Sequence, residues 1–104
     1  SIFPNMLLSL HPDYVMIHLV WPSSENTTTI DCSWLFSNNF INDKKYNLHQ
    51  AVDFWDKTNQ QDWEICENSY LGIQSQSYSP SPYSPQESLL AAYDQYYLKI
   101  LNRN

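Results

Sequence analysis

Apolar and polar positions along this chain follow a period of two first and a period of about 3.6 afterwards. Over residues 14–21 the alternation places Tyr14, Met16, His18 and Val20 on one face, with Val15, Ile17, Leu19 and Trp21 on the other. Such a run, rich in β-branched and aromatic residues, predicts a strand. Both of its faces are apolar, which predicts a central strand covered on each side. Residues 5–11 are short and mostly apolar, and His11-Pro12-Asp13 closes them with a turn. A second turn, Pro22-Ser-Ser-Glu-Asn26, leads into residues 27–36. There Ile30, Cys32, Trp34 and Phe36 alternate with Thr29, Asp31 and Ser33. Three consecutive strands with short links predict an antiparallel meander within about residues 5–36.

Residues 37–47 are polar and Asn-rich, a loop with Phe40-Ile41 as its packing anchor. Beyond it the period becomes helical. At about 100° per residue, Leu48, Ala51, Val52, Trp55, Asn59, Asp62, Cys66 and Tyr70 share one face, as a core-facing stripe does. Asn47 supplies an N-cap and Gly72 a C-terminal stop, so this helix is expected over about 47–71. Residues 73–82, rich in Ser, Gln and Pro, read as an ordered extended connection held by Tyr78 and Tyr83. Ser84-Pro85-Gln86-Glu87 is a capping box with proline in the first turn. It opens a last helix over about 85–102, with Leu89, Tyr93, Tyr96 and Ile100 on one stripe and Leu90, Tyr97 and Leu101 beside it. Residues 102–104 are expected to fray. The predicted class is α+β, an antiparallel sheet followed by two helices, one of which covers the sheet.

Charge narrows the function classes. The chain has 104 residues and a formal net charge of −6, with only five Lys and Arg residues and no cluster among them. That excludes phosphate-dominated nucleic-acid binding and docking on an anionic membrane. No apolar run has transmembrane length, and the start lacks a signal-peptide pattern. The length suits one domain. Cys32 and Cys66 lie far apart in unlike elements, so free thiols in the cytoplasm are the expectation. With a single glycine, Gly72, the turns fall to Asn, Ser and Pro. The first residue is Ser1, followed almost at once by strand-like sequence, so the chain is expected to begin partway through a larger protein.

Asn59 and Asp62 stand where the helical stripe would ordinarily carry Leu or Ile. A carboxylate turned into a core is costly unless it is paired, hydrogen-bonded or bound to a metal. Two accounts stay open for Asp62: a satisfied structural Asp, or a metal ligand or general acid/base. His11 in its turn and His49 at the helix start read as solvated. His18 reads as a core histidine with one partner, or as lining a cavity beneath the helix. Glu64 and Glu67 read as solvated or salt-bridged, and Trp55 and Trp63 as packing residues. No Ser-His-Asp spacing, glycine-rich phosphate loop or Cys-x-x-Cys pair occurs.

Phe54-Trp-Asp-Lys-Thr-Asn-Gln-Gln-Asp-Trp-Glu-Ile-Cys-Glu67, with Leu71-Gly72 after it and Tyr83-Ser-Pro-Gln-Glu87 beyond, resembles the end of a known family. That family is the alpha subunits of Rieske-type ring-hydroxylating oxygenases. Tyr14-Val-Met-Ile-His-Leu-Val-Trp-Pro22 resembles the strand that precedes this helix there. The resemblance covers nearly the whole chain and only the last part of the family's catalytic domain. It implies a partial helix-grip (START-like) domain. It also implies a mononuclear non-haem Fe(II) held by two histidines and one carboxylate, the facial triad of iron oxygenases. Asp62 matches the carboxylate position. Asn59, one turn earlier, matches a partner that orients it, or stands at the ligand position itself if the register shifts by a turn. His18, Trp55 and Met16 become substrate-pocket candidates.

The family's cluster motifs, Cys-x-His and Cys-x-x-His, are absent, and so is its closely spaced histidine pair. The resemblance therefore implies a C-terminal fragment with one of three iron ligands, no bound cofactor and no turnover alone. Its parent would carry Fe(II) and a [2Fe–2S] cluster and take electrons from a reductase or ferredoxin. As a mono- or dioxygenase, it would hydroxylate or demethylate a small organic substrate. A truncated sheet leaves an unpaired edge, so a homo-oligomer is expected. The alternative is a self-contained small helix-grip ligand-binding module, its aromatic-lined apolar cavity formed by Tyr14, Met16, His18, Trp34 and Trp55. A purely structural subunit would leave the expected inward Asp62 unexplained.

Overall fold

The computed structural model describes residues 1–43 and 46–103. Strands β1 (Met6–Leu10), β2 (Tyr14–Pro22) and β3 (Thr28–Phe36) form one antiparallel sheet in the order β1-β2-β3, the meander that the alternation predicts. The His11-Pro12-Asp13 turn closes with the His11 N–H donating to the Tyr14 carbonyl at 3.0 Å. At the next turn the Ser23 N–H donates to the Thr27 carbonyl at 2.9 Å. Register places Tyr14 opposite Phe36, Met16 opposite Trp34, His18 opposite Cys32 and Val20 opposite Ile30. Leu7 and Ser9 of β1 stand opposite His18 and Met16. Directly opposed residues share a face, so these ten side chains make one surface.

Within the stretch expected to be a plain loop, Asn38–Asn42 forms a short helix, α1. Phe40 anchors it, half-buried and 4.8 Å from the Tyr46 ring between centroids, whereas Ile41 is exposed. Residues 44–45 of that stretch, and residue 104 of the expected frayed tail, lie outside the described residues. Helix α2 spans Leu48–Ile73. Asn47 caps it as expected, its Oδ1 accepting from the His49 N–H at 3.1 Å.

The buried stripe of α2 is shorter than the sequence pattern. Leu48, Ala51, Val52, Trp55, Thr58 and Trp63 are half-buried and Asn59 is buried, but Asp62, Cys66 and Tyr70 are exposed. A helix of 26 residues is about 39 Å long, against about 30 Å for the nine-residue strands, so its full length has no sheet to face. Asp62 also sits about 60° round the helix from Asn59, on the flank of the stripe. The far face of β2 departs from expectation too. Val15, Ile17 and Leu19 are half-buried, and neighbouring Leu8, Leu10 and Leu35 are exposed. The sheet is thus covered closely on one face only.

The chain divides into two compact units, Ser1–Glu67 and Asn68–Asn104. In the second, α2 runs through Gly72 rather than stopping before it. No glycine has positive φ, and the Ser75 N–H donates to the Gly72 carbonyl at 3.1 Å in a right-handed exit turn. The capping box forms as predicted: the Ser84 N–H donates to Glu87 Oε2 at 2.7 Å and both reciprocal bonds are present. That bond holds the Glu87 carboxyl below its ordinary range. A 3₁₀ turn, Pro85–Glu87, leads into α3, Ser88–Leu101. Tyr83 donates its hydroxyl proton to Asp94 Oδ2, holding the end of the Pro-rich connection to that helix.

Candidate functional site

The register of β2 and β3 sets His18 and Cys32 side by side, and α2 lowers Asn59 onto the pair. Asn59 is 7 % exposed, the one buried polar side chain among the described residues. Its Oδ1 lies 3.3 Å from His18 Nε2, a bond formed when that nitrogen carries the proton, and its Nδ2 donates to Cys32 Sγ at 3.7 Å. Burial raises the Cys32 thiol pKa, and the Asp31 and Asp56 carboxylates push the same way. Cys32 is therefore a protonated thiol at neutral pH, a poor nucleophile and a poor metal ligand. Beside this polar group Met16 is 1 % exposed.

One turn of α2 earlier, the contacts become aromatic. Trp55 Nε1 donates to the Tyr14 hydroxyl at 2.6 Å. His11 stacks on Tyr14 at 4.4 Å and meets Trp55 edge-on at 5.5 Å. His11 was expected to be solvated; it is half-buried because the turn folds it back over β2, and its Nε2 is buried without a hydrogen-bond partner. Tyr14 also packs on Phe36, which packs on Tyr46. Tyr46 donates its hydroxyl proton to Asp13 Oδ2, and this bond, with lesser help from burial, pushes the Tyr46 phenol up to about 12. Between the β1–β2 turn and the start of α2 these residues leave an open cavity of about 430 Å³, lined by Asp13, Tyr14, Tyr46, Asn47, Gln50, Ala51 and Phe54.

The structure gathers some of the expected site residues and separates others. His18 and Asn59 meet, and Trp55 and Met16 pack alongside them beneath α2. Of the five residues expected to line an apolar cavity, only Tyr14 faces this one, since Met16 is packed solid and Trp34 Nε1 is enclosed without a partner. Asp62 is exposed, as are His49, Glu64 and Glu67. Among the described residues no group of three or more His, Cys, Asp or Glu side chains is placed to hold a metal ion. The described residues therefore offer no three-ligand set for an iron ion by themselves. Asp13 reads in the sequence only as a turn residue and Phe54 only as the start of the family-like stretch, and Tyr46 is not singled out, because three separate segments bring them together. Among the described residues no helix is long and apolar enough to cross a membrane.

A family model described as the ring-hydroxylating alpha subunit (catalytic domain) matches residues 1–103. Glycine betaine monooxygenase oxygenase subunits from two Pseudomonas aeruginosa strains, UCBPP-PA14 and PAO1, are each 33 % identical over 72 residues, covering 69 % of this chain and 17 % of the relative. The subunit of that name from Chromohalobacter salexigens is 28 % identical over 81 residues, covering 78 % of this chain and 18 % of the relative. The matched stretch is thus less than a fifth of these relatives' length. No solved structure matches the chain.

Proposed function

Because this chain belongs to the ring-hydroxylating alpha-subunit family, we propose that it is the C-terminal part of the catalytic domain of a Rieske non-haem iron oxygenase. The parent protein uses dioxygen to hydroxylate or demethylate a small organic substrate. Its electrons come from a reductase or ferredoxin through a [2Fe–2S] cluster, and the protein is cytoplasmic and oligomeric. The names of the relatives favour an N-methylated ammonium compound of the glycine betaine kind as substrate. The match over residues 1–103 carries the proposal.

Asp62 is the one iron ligand that these 104 residues contribute; the two histidines and the cluster ligands come from polypeptide outside them. The match to the family's carboxylate position carries this role; Asp62 is exposed rather than turned inward, which leaves it open to another segment. Asn59, fixed by His18 and Cys32, sets the angle at which α2 presents it. The isolated chain has no turnover.

The test is metal analysis of the full-length protein. In Asp62→Ala, mononuclear iron is lost while the visible absorption of the cluster remains, and substrate-dependent oxygen uptake disappears. Should Asp62→Ala keep its iron while Asn59→Ala loses it, the ligand position belongs to Asn59 and the assignment fails.

A further inference from the structure

We propose that the outer edge of β3 is a docking site for a second copy of this chain, the two β3 strands pairing antiparallel about a twofold axis to join their sheets. The two edges of the sheet differ in what they leave open. In an antiparallel pair, alternate residues exchange bonds with one neighbour and turn their backbone groups to the other side. The Ser23 N–H donates to the Thr27 carbonyl, and the register runs unbroken from there. Thr29, Asp31, Ser33 and Leu35 therefore bond β2, while Thr28, Ile30, Cys32, Trp34 and Phe36 turn their N–H and C=O groups outward. Pro22, which has no N–H, stands opposite Thr28, as this phase requires.

At the β1 edge the chain closes part of its own opening. Ile2 and Met6 exchange both backbone bonds, at 2.7 and 3.0 Å, so only Leu8 and Leu10 of the five-residue strand stay turned outward. At the β3 edge, among the described residues, no hydrogen bond reaches the outward backbone groups. Strand edges are ordinarily guarded by proline, lysine or a bulge. The nine residues of β3 include neither of those residue types and carry one charge, Asp31; their register has no bulge.

This edge is complementary to itself. Directly opposed residues share a face, so outward residues of one copy pair with outward residues of the other. Setting Cys32 against Cys32 of the second copy achieves this with the whole strand overlapped. On the helix side Ile30 then meets Trp34, a β-branched residue on an aromatic ring, and on the far side Asp31 meets Ser33. Moving the centre to Asp31 opposes two carboxylates, which is unfavourable; moving it to Ser33 sets Asp31 against Leu35. Either shift also shortens the overlap. An unrelated strand would have to match this length, phase and alternation, whereas a second copy matches them by construction. The interface gives the oligomer proposed above its contact and draws on none of the oxygenase chemistry.

The experiment is sedimentation equilibrium of this chain, at physiological salt, with amide hydrogen exchange alongside. The mass is expected to rise with concentration to twice 12.3 kDa, and the Ile30, Cys32 and Trp34 amides to become protected as it does. Ser33→Lys sets a cation opposite Asp31 in both symmetric pairs and should tighten the dimer about two- to thirtyfold; Ser33→Asp sets like charges there and should weaken it by a similar factor. Ser33 is exposed on the far face, so neither variant touches the contacts beneath α2. Thr29→Lys, also exposed, makes the same change of net charge opposite Leu35 and should alter the constant by no more than about twofold. The proposal is overturned if the chain stays a monomer, if the three amides exchange as fast in the dimer as in the monomer, or if Thr29→Lys acts as strongly as Ser33→Lys. Protection of these amides in a full-length protein that remains a single protomer also overturns it, because a strand of its own polypeptide then holds the edge. None of these outcomes bears on iron content or oxygen uptake, which decide the oxygenase reading separately.

Discussion

The two faces of the sheet are built from similar sequence and end in different surroundings. On the helix side Met16 is 1 % exposed, His18 meets Asn59, and Tyr14 accepts a bond from Trp55. On the far side Val15, Ile17 and Leu19 are half-buried, and Leu10 and Leu35 are 73 % and 55 % exposed. Apolarity does not separate the faces, since β2 is apolar on both. What separates them is a helix whose side chains answer the strands one by one: an amide for the His–Cys pair, an indole N–H for a phenol. Strand alternation states which surfaces favour cover. A matching partner sequence determines which surface receives it.

Truncation on each face gives the largest expected contrast. Met16→Ala should lower the stability of the first unit by about 2–5 kcal/mol, the usual cost of emptying a packed site. Leu35→Ala on the far face should stay within about 0.5 kcal/mol. Urea unfolding followed by tryptophan fluorescence measures both. Equal costs would mean that the far face is covered in solution, by another copy of the chain or by some other surface.

A smaller effect tests whether the polar stripe on α2 divides as its exposure indicates. Asn59→Ala removes two bonds and leaves the half-buried His18 Nε2 without its Asn59 partner, which should cost about 1–3 kcal/mol in this chain. Asp62→Ala, at an exposed position, should change its stability by no more than about 0.5 kcal/mol. Unfolding curves of the two variants side by side provide the check. A large loss at Asp62 would show that its carboxylate serves the fold of this chain.

The sequence disclosed much of this organisation because the strongest signals are local. Period-two alternation over residues 14–21 and 27–36 assigns His18 and Cys32 each to a strand face, and the register of the folded sheet then sets them side by side. Asn47 and the Ser84–Glu87 box cap as their chemistry requires. Asn59 and Asp62, singled out together as polar residues on an apolar stripe, part company because periodicity carries no information on how far a sheet extends beneath a helix. Gly72 fits a helix stop by composition, yet the backbone continues through it, since a glycine allows the left-handed exit without requiring it. The stacked His11 and the Asp13–Tyr46 cavity arise only when a turn, a loop and a helix start converge, which no local pattern records.

The smallest predicted effect lies where the covered face ends. Tyr46 donates to the Asp13 carboxylate, and that bond, more than burial, raises its phenol from about 10 to about 12. The folded chain therefore favours the neutral phenol. The contribution of the bond is complete below about pH 10, the ordinary tyrosine value, and is lost as the pH rises through about 12. The Tyr83 phenol is raised in the same way by Asp94, so the clean experiment uses a Tyr83→Phe background. There, tyrosinate absorbance should show a late-titrating component that Asp13→Asn removes. If Asp13→Asn leaves the titration unchanged, the bond is not maintained in solution. The helix-side cover would then stop at Tyr14, and the cavity would lose the tie that positions two of its walls.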